Sequence, residues 1–144
     1  MESGAPQLPE VGHKIPAREF GPFDQKMVEQ YALASGDDNP LHLDRKVATA
    51  AGLADTPIHG LLMLACVEPY ILDWRSDLFI AGLRCKFLNP VFAGEAIRLF
   101  GRVASRRVSP RPELILRLVA RTPRDTLAIV GEATLLCRQA RGAR

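Results

Sequence analysis

Four stretches in the second half of the chain, 79–88, 96–105, 113–121 and 126–138, alternate apolar and polar residues with period two, the pattern of β-strands that bury one face. In the third, Leu114, Leu116, Leu118 and Ala120 share one side, while Arg117 and Arg121 stand on the other. Asn89-Pro90, Ser109-Pro110-Arg111-Pro112 and Pro123-Arg124-Asp125 supply the turns between them. A fifth, short edge strand is expected around Pro16, from Val11–Ile15 and Ala17–Phe20.

The first half reads as helices. Asp24 to Ala34 places Met27, Val28, Tyr31 and Ala34 on one face, and Gly36 stops it. Asp44 can cap a second helix from Arg45 to Ala51, closed by Gly52. Thr56-Pro57 is a fitting opening for a third, whose run Gly60-Leu61-Leu62-Met63-Leu64-Ala65-Cys66-Val67 is apolar all round and is expected to be buried on every side, with Pro69 ending or kinking it. Helices first and strands afterwards indicate a segregated α+β fold, with the apolar helix inside a curved antiparallel sheet. The 144 residues suit one domain, 1–144, with a loose arm over about 1–9 and a tail over about 139–144.

The densest stretch in chemically capable residues is Ala34-Ser35-Gly36-Asp37-Asp38-Asn39-Pro40-Leu41-His42-Leu43-Asp44. Asn39-Pro40 forces a turn, so Asp37 and His42 fall on irregular backbone and can converge on one point. A carboxylate and an imidazole there can activate one water molecule. The structural alternative is a helix-ending loop whose side chains satisfy their own backbone.

Ser35-Gly36-Asp37-Asp38-Asn39-Pro40-Leu41-His42-Leu43-Asp44 resembles the signature of the (R)-specific enoyl-CoA hydratases, the MaoC-like dehydratases of the hot-dog fold. Two further blocks, Pro57-Ile58-His59-Gly60-Leu61-Leu62 and Phe87-Leu88-Asn89-Pro90-Val91-Phe92-Ala93-Gly94-Glu95, resemble that family's His-Gly-Met-Leu and Phe-x-x-Pro-Val-x-x-Gly-Asp steps, in its order and at about its spacing. The resemblance implies a hot-dog fold and a hydro-lyase that adds water to trans-2-enoyl thioesters to give (3R)-3-hydroxyacyl thioesters, or the reverse. Asp37 and His42 would handle the protons, and the Gly60 N–H, at a helix start, would stabilise the thioester oxygen. Asn39 and His59 are expected in support. The substrate would carry coenzyme A or a phosphopantetheine carrier protein, with no metal or redox cofactor, and the chain would form a homodimer or a dimer of dimers. Leu61 replaces the family's commoner methionine, and Pro57 and Pro69 leave open the acyl-chain length and the pocket shape around Glu68, Tyr70 and Trp74.

Other readings are a thioesterase on the same fold, for which Glu68 is the candidate carboxylate, a non-catalytic acyl-binding subunit, and a metal site of Asp37, His42 and His59. Cys66, Cys85 and Cys137 have no metal-ligand spacing and read as small apolar residues in a reducing compartment. Residues 1–77 carry 6 Lys/Arg and 12 Asp/Glu, whereas 78–144 carry 13 and 4. Such a basic half either attracts phosphorylated or acidic partners or is a set of solvated strand faces. It lacks the aromatic interleaving of a nucleic-acid surface, and no apolar run has membrane-spanning length, so a cytoplasmic location is expected.

Overall fold

The computed structural model describes residues 7–138, so the expected tail and residues 1–6 of the expected arm lie outside the described residues. In chain order the elements are β1 (Lys14–Phe20), α1 (Gln25–Ser35), α2 (Pro40–Leu43), α3 (Arg45–Ala50), α4 (Gly60–Leu64), α5 (Val67–Trp74), β2 (Leu78–Phe87), β3 (Ile97–Arg107), β4 (Glu113–Arg121) and β5 (Leu127–Cys137). The five strands form one antiparallel sheet in the order β1-β3-β4-β5-β2. Its core face follows the alternation in the sequence: Leu99 and Val103 from β3, Leu114, Leu116, Leu118 and Ala120 from β4, and Ala133 and Leu135 from β5 are all buried.

Helix α5 packs against both β1 and β2, the two edges of the sheet. Five strands laid flat would hold those edges roughly 19 Å apart, more than one helix spans in width. The sheet is therefore curled around α5. Arg18 of β1 pairs with Asp73 of α5, and the exposed His13 ring stacks over Trp74 at 5.9 Å.

The apolar segment is not one helix, and it is not buried on every side. Of α4 only Met63 is fully buried, and Leu61 is 61 % exposed, while α5 buries Val67, Tyr70 and Ile71. Pro69 is the cause of the break. Lacking an N–H, it cannot bond the carbonyl of Ala65 one turn back, and its ring crowds that carbonyl. The chain therefore closes α4 at Leu64 and restarts, with Pro69 in the first turn of α5.

Thr56 and Pro57 do not open a helix. Thr56, Pro57 and Ile58 run extended against the turn after β2, with the Ile58 N–H donating to Val91 O at 2.8 Å and the Ala93 N–H to Thr56 O at 2.9 Å. This segment has an available partner, and a proline without an N–H fits a position that needs no donation.

Helix α1 begins as expected, the Asp24 side chain accepting from the Met27 N–H at 2.8 Å, and ends at Gly36 with φ 77°. Its buried face, however, is Val28 and Ala32, with Met27 and Ala34 exposed. The helix is rotated so that Gln25 faces inward, where it has polar partners described below. The end of the expected loose arm is also fastened: Leu8 is buried, and the carbonyls of Gln7 and Leu8 accept from Arg75 at 3.2 Å and Arg106 at 3.0 Å.

Candidate active site

Asp37 follows the left-handed Gly36, and its polar atoms are almost all committed. Its N–H donates to Ser35 Oγ at 3.1 Å, its Oδ1 accepts from the Asn39 N–H at 3.4 Å, and its carbonyl accepts from His59 Nε2 at 2.9 Å. Only Oδ2 is left. It stands 4.0 Å from His42 Nε2 and 4.0 Å from His59 Nε2.

His42 lies on a helical turn and not on irregular backbone. Asn39 caps that turn, its Oδ1 accepting from the Leu41 N–H at 3.0 Å, and Pro40 occupies the first position, where a missing N–H costs nothing. The His42 Nδ1 lies 2.8 Å from Pro57 O. A carbonyl oxygen only accepts, so Nδ1 carries the proton and Nε2 presents its lone pair. From behind, Gln25 Nε2 donates to His42 O at 3.1 Å while Gln25 Oε1 accepts from Thr56 Oγ1 at 3.0 Å.

The uncommitted atoms of the pair, Asp37 Oδ2 and His42 Nε2, thus face each other across 4.0 Å. An oxygen about 2.8 Å from each, ordinary hydrogen-bond length, would span that gap. Asp37 also lines a cleft of about 340 Å³, whose walls are Pro57–Leu61 and Met63 on one side and Phe87–Pro90 on the other. His42 is not in that lining and meets it only across the Asp37 carboxylate.

Gly60 is the first residue of α4, so its N–H precedes any intrahelical acceptor. A Cβ placed on it would come within 2.8 Å of the Phe87 ring. Glycine here lets the Phe87 ring lie close against the helix start, and any side chain would have to displace that ring.

Asp37, Asn39, His42, His59 and Gly60 are therefore brought together, and Glu68, Tyr70 and Trp74 are not. Glu68 is exposed on α5, and Tyr70 is buried in the core, where desolvation pushes its hydroxyl up to about 12. None of the three lines the cleft; Met63 and Phe87 do. Gln25, Thr56 and the Pro57 carbonyl were not singled out from the sequence. Their contacts to His42 and to one another span 15 to 31 residues, and a main-chain acceptor leaves no trace in residue type.

Asp37, His42 and His59 can offer three donor atoms within 4.8 Å of one another. His59 Nε2, however, donates to Asp37 O and carries a proton, so its lone pair lies on Nδ1, away from the carboxylate. Ligation by that atom would require the other tautomer and the loss of the carbonyl bond. The set is better suited to moving protons than to holding a cation. Burial pushes the Cys66 thiol up to about 11 and raises Cys85 and Cys137 as well, so these cysteines behave as apolar fillers and not as nucleophiles.

Residues 7–112 match the family model described as MaoC like domain. The chain is 31 % identical over 130 residues to the (R)-specific enoyl-CoA hydratase of Aeromonas caviae, covering 88 % of this chain and 93 % of that protein. It is 27 % identical over 128 residues to the fatty acid synthase subunit beta of Saccharomyces cerevisiae, covering 84 % of this chain but spanning only 6 % of that protein. The solved (R)-hydratase of A. caviae superimposes with a TM-score of 0.82 over 92 % of this chain and 99 % of that one, at 27 % identity. With a family match over most of its length and this fold, the chain belongs to the MaoC-like domain family and has the hot-dog architecture.

Proposed function

We propose that the protein is a hydro-lyase that adds water to trans-2-enoyl thioesters, giving (3R)-3-hydroxyacyl thioesters, or runs the reverse dehydration, with the acyl group carried on coenzyme A or a carrier protein. The observation that carries this reading is the facing of Asp37 Oδ2 and His42 Nε2 across 4.0 Å beside a cleft that Gly60 also lines. Water held between the two would attack the β-carbon while its proton passes to the Asp37/His42 pair, and the pair returns a proton to the α-carbon. Negative charge growing on the thioester oxygen would be met by the Gly60 N–H, a donor typically worth about 3 kcal/mol in the transition state.

The thioesterase reading has less support, because its carboxylate, Glu68, stands outside the cleft. In the same proposal the chain works as a homodimer or dimer of dimers joined through the free edge of β2. A cytoplasmic location fits the three free cysteines. No helix among the described residues is long and apolar enough to cross a membrane.

The test is loss of the conjugated thioester absorbance of crotonyl-CoA, with an eight-carbon enoyl-CoA and a carrier-bound crotonyl group run alongside. Wild type is expected to turn over at least one of them, and Asp37→Asn and His42→Ala each to lose at least about a hundredfold, the scale of a proton-transfer group. Unchanged activity in both variants, or a silent wild type on all three substrates, defeats the assignment.

A further inference from the structure

We propose that His59 is a positioning residue, whose Nε2–H clamps the backbone carbonyl of Asp37 and thereby aims Asp37 Oδ2. This role rests on the hydro-lyase reading for its effect on rate, but the clamp itself does not.

His59 is 2 % exposed, with its ring stacked on His42 at 3.9 Å and against Tyr31 at 4.7 Å. Its Nδ1 is buried with no hydrogen-bond partner. A ring kept only for packing would be better served by phenylalanine, which stacks as well and leaves no buried nitrogen unpaired. What the imidazole adds is the Nε2–H, and that atom has one short bond, to Asp37 O at 2.9 Å.

The bond's place in the fold gives it weight. The other two bonds of Asp37, to Ser35 Oγ and from the Asn39 N–H, close within its own turn. Among the described residues, the His59 bond joins that turn to a different element, at the start of α4. The Asp37 side chain is 53 % exposed, so packing does not hold it. With the clamp, Oδ2 stays 4.0 Å from His42 Nε2. His59 does not itself transfer a proton in this scheme, because its N–H is committed and its lone pair faces away from Oδ2.

Two substitutions separate donor from ring. His59→Gln sets an amide Nε2 near the ring Nε2 and keeps the donor without the ring, whereas His59→Phe keeps the stack without the donor. Turnover of the best enoyl thioester, melting temperature and amide hydrogen exchange at Asp37, Asp38 and Asn39 are measured on wild type and both variants. His59→Phe is expected to lower kcat by at least about tenfold, within the range a misplaced catalytic group costs, with KM changed less than about threefold. It should also speed exchange in the turn by at least about tenfold. His59→Gln should stay within about threefold of wild type in kcat and in exchange. Unchanged exchange in His59→Phe, or a loss in His59→Gln as large as in His59→Phe, overturns the clamp. A wild type inactive on every thioester defeats the hydro-lyase reading instead, and the exchange comparison then decides the clamp alone.

Discussion

A Cβ added at Gly60 and one added at Gly131 would both meet an atom too close, yet the consequences differ. At Gly131 the obstacle is the Arg84 carbonyl oxygen at 2.4 Å, main chain of the neighbouring strand β2. Neither strand can withdraw without breaking its ladder. At Gly60 the obstacle is the Phe87 ring at 2.8 Å, and Phe87 is 48 % exposed, free to turn outward. Gly131→Ala is therefore expected to cost roughly 1–3 kcal/mol, the usual cost of overpacking, seen as a lowered melting temperature. Gly60→Ala should melt close to wild type while reshaping the cleft beside the reacting atoms, so its loss appears in turnover. Equal melting losses in the two would contradict this account.

Between α5 and β2 the chain is held by a two-toothed contact, Arg75 Nε and Nη2 each donating to an Asp77 carboxylate oxygen at 2.6 Å, while Arg75 Nη1 also reaches the Gln7 carbonyl. Hydrogen bonding to Arg75 holds the Asp77 carboxyl below its ordinary value of 3.8. A carboxyl with a depressed folded-state value adds stability above its unfolded value, and that stability is lost as pH falls through the folded one. Melting temperature should therefore drop as pH falls below about 4, and Asp77→Asn should flatten that part of the curve by removing the titrating group. An unaltered acid limb in Asp77→Asn would mean the contact adds no linked stability, as half-exposed pairs sometimes do not. The elements of the fold differed in how far the sequence revealed them. Period two in Leu114, Leu116, Leu118 and Ala120 announces a half-buried strand because alternation and burial are the same fact. The break before Pro69 was foreseeable in kind but not in place, since a proline expels the carbonyl four residues earlier and not its own position. Asp37, Asn39 and His42 were legible because a local turn brings them near one another, whereas the Gln25 brace depends on how α1 is rotated, which only the packed molecule decides.

The molecule as a whole has two sheet edges, and they are not equivalent. The β1 edge carries Pro16 in mid-strand with a register shift between Ile15 and Arg18, devices that spoil pairing with another chain. The β2 edge also has a register shift, between Ile80 and Gly82 near its start, but it runs ten residues without a proline. Beside it stand the exposed apolar side chains Leu61 at 61 %, Phe87 at 48 % and Leu88 at 46 %. Association by sheet faces is opposed by charge: Arg98 sits opposite Arg121 and Arg102 opposite Arg117 on the side away from the core, so two such faces would repel. A second copy is thus expected to add its β2 to this one, covering Leu61 and Leu88, which also line the cleft. Light scattering after gel filtration at micromolar concentration should give twice the chain mass of 15.8 kDa, or four times it if dimers pair. Leu61→Arg, at a side chain already facing solvent within one chain, should give a folded monomer with unchanged circular dichroism and reduced turnover, because the cleft then loses the cover expected from a second copy. A monomeric wild type, or a Leu61→Arg protein that stays dimeric and fully active, would mean that this apolar edge is covered by something other than a second copy.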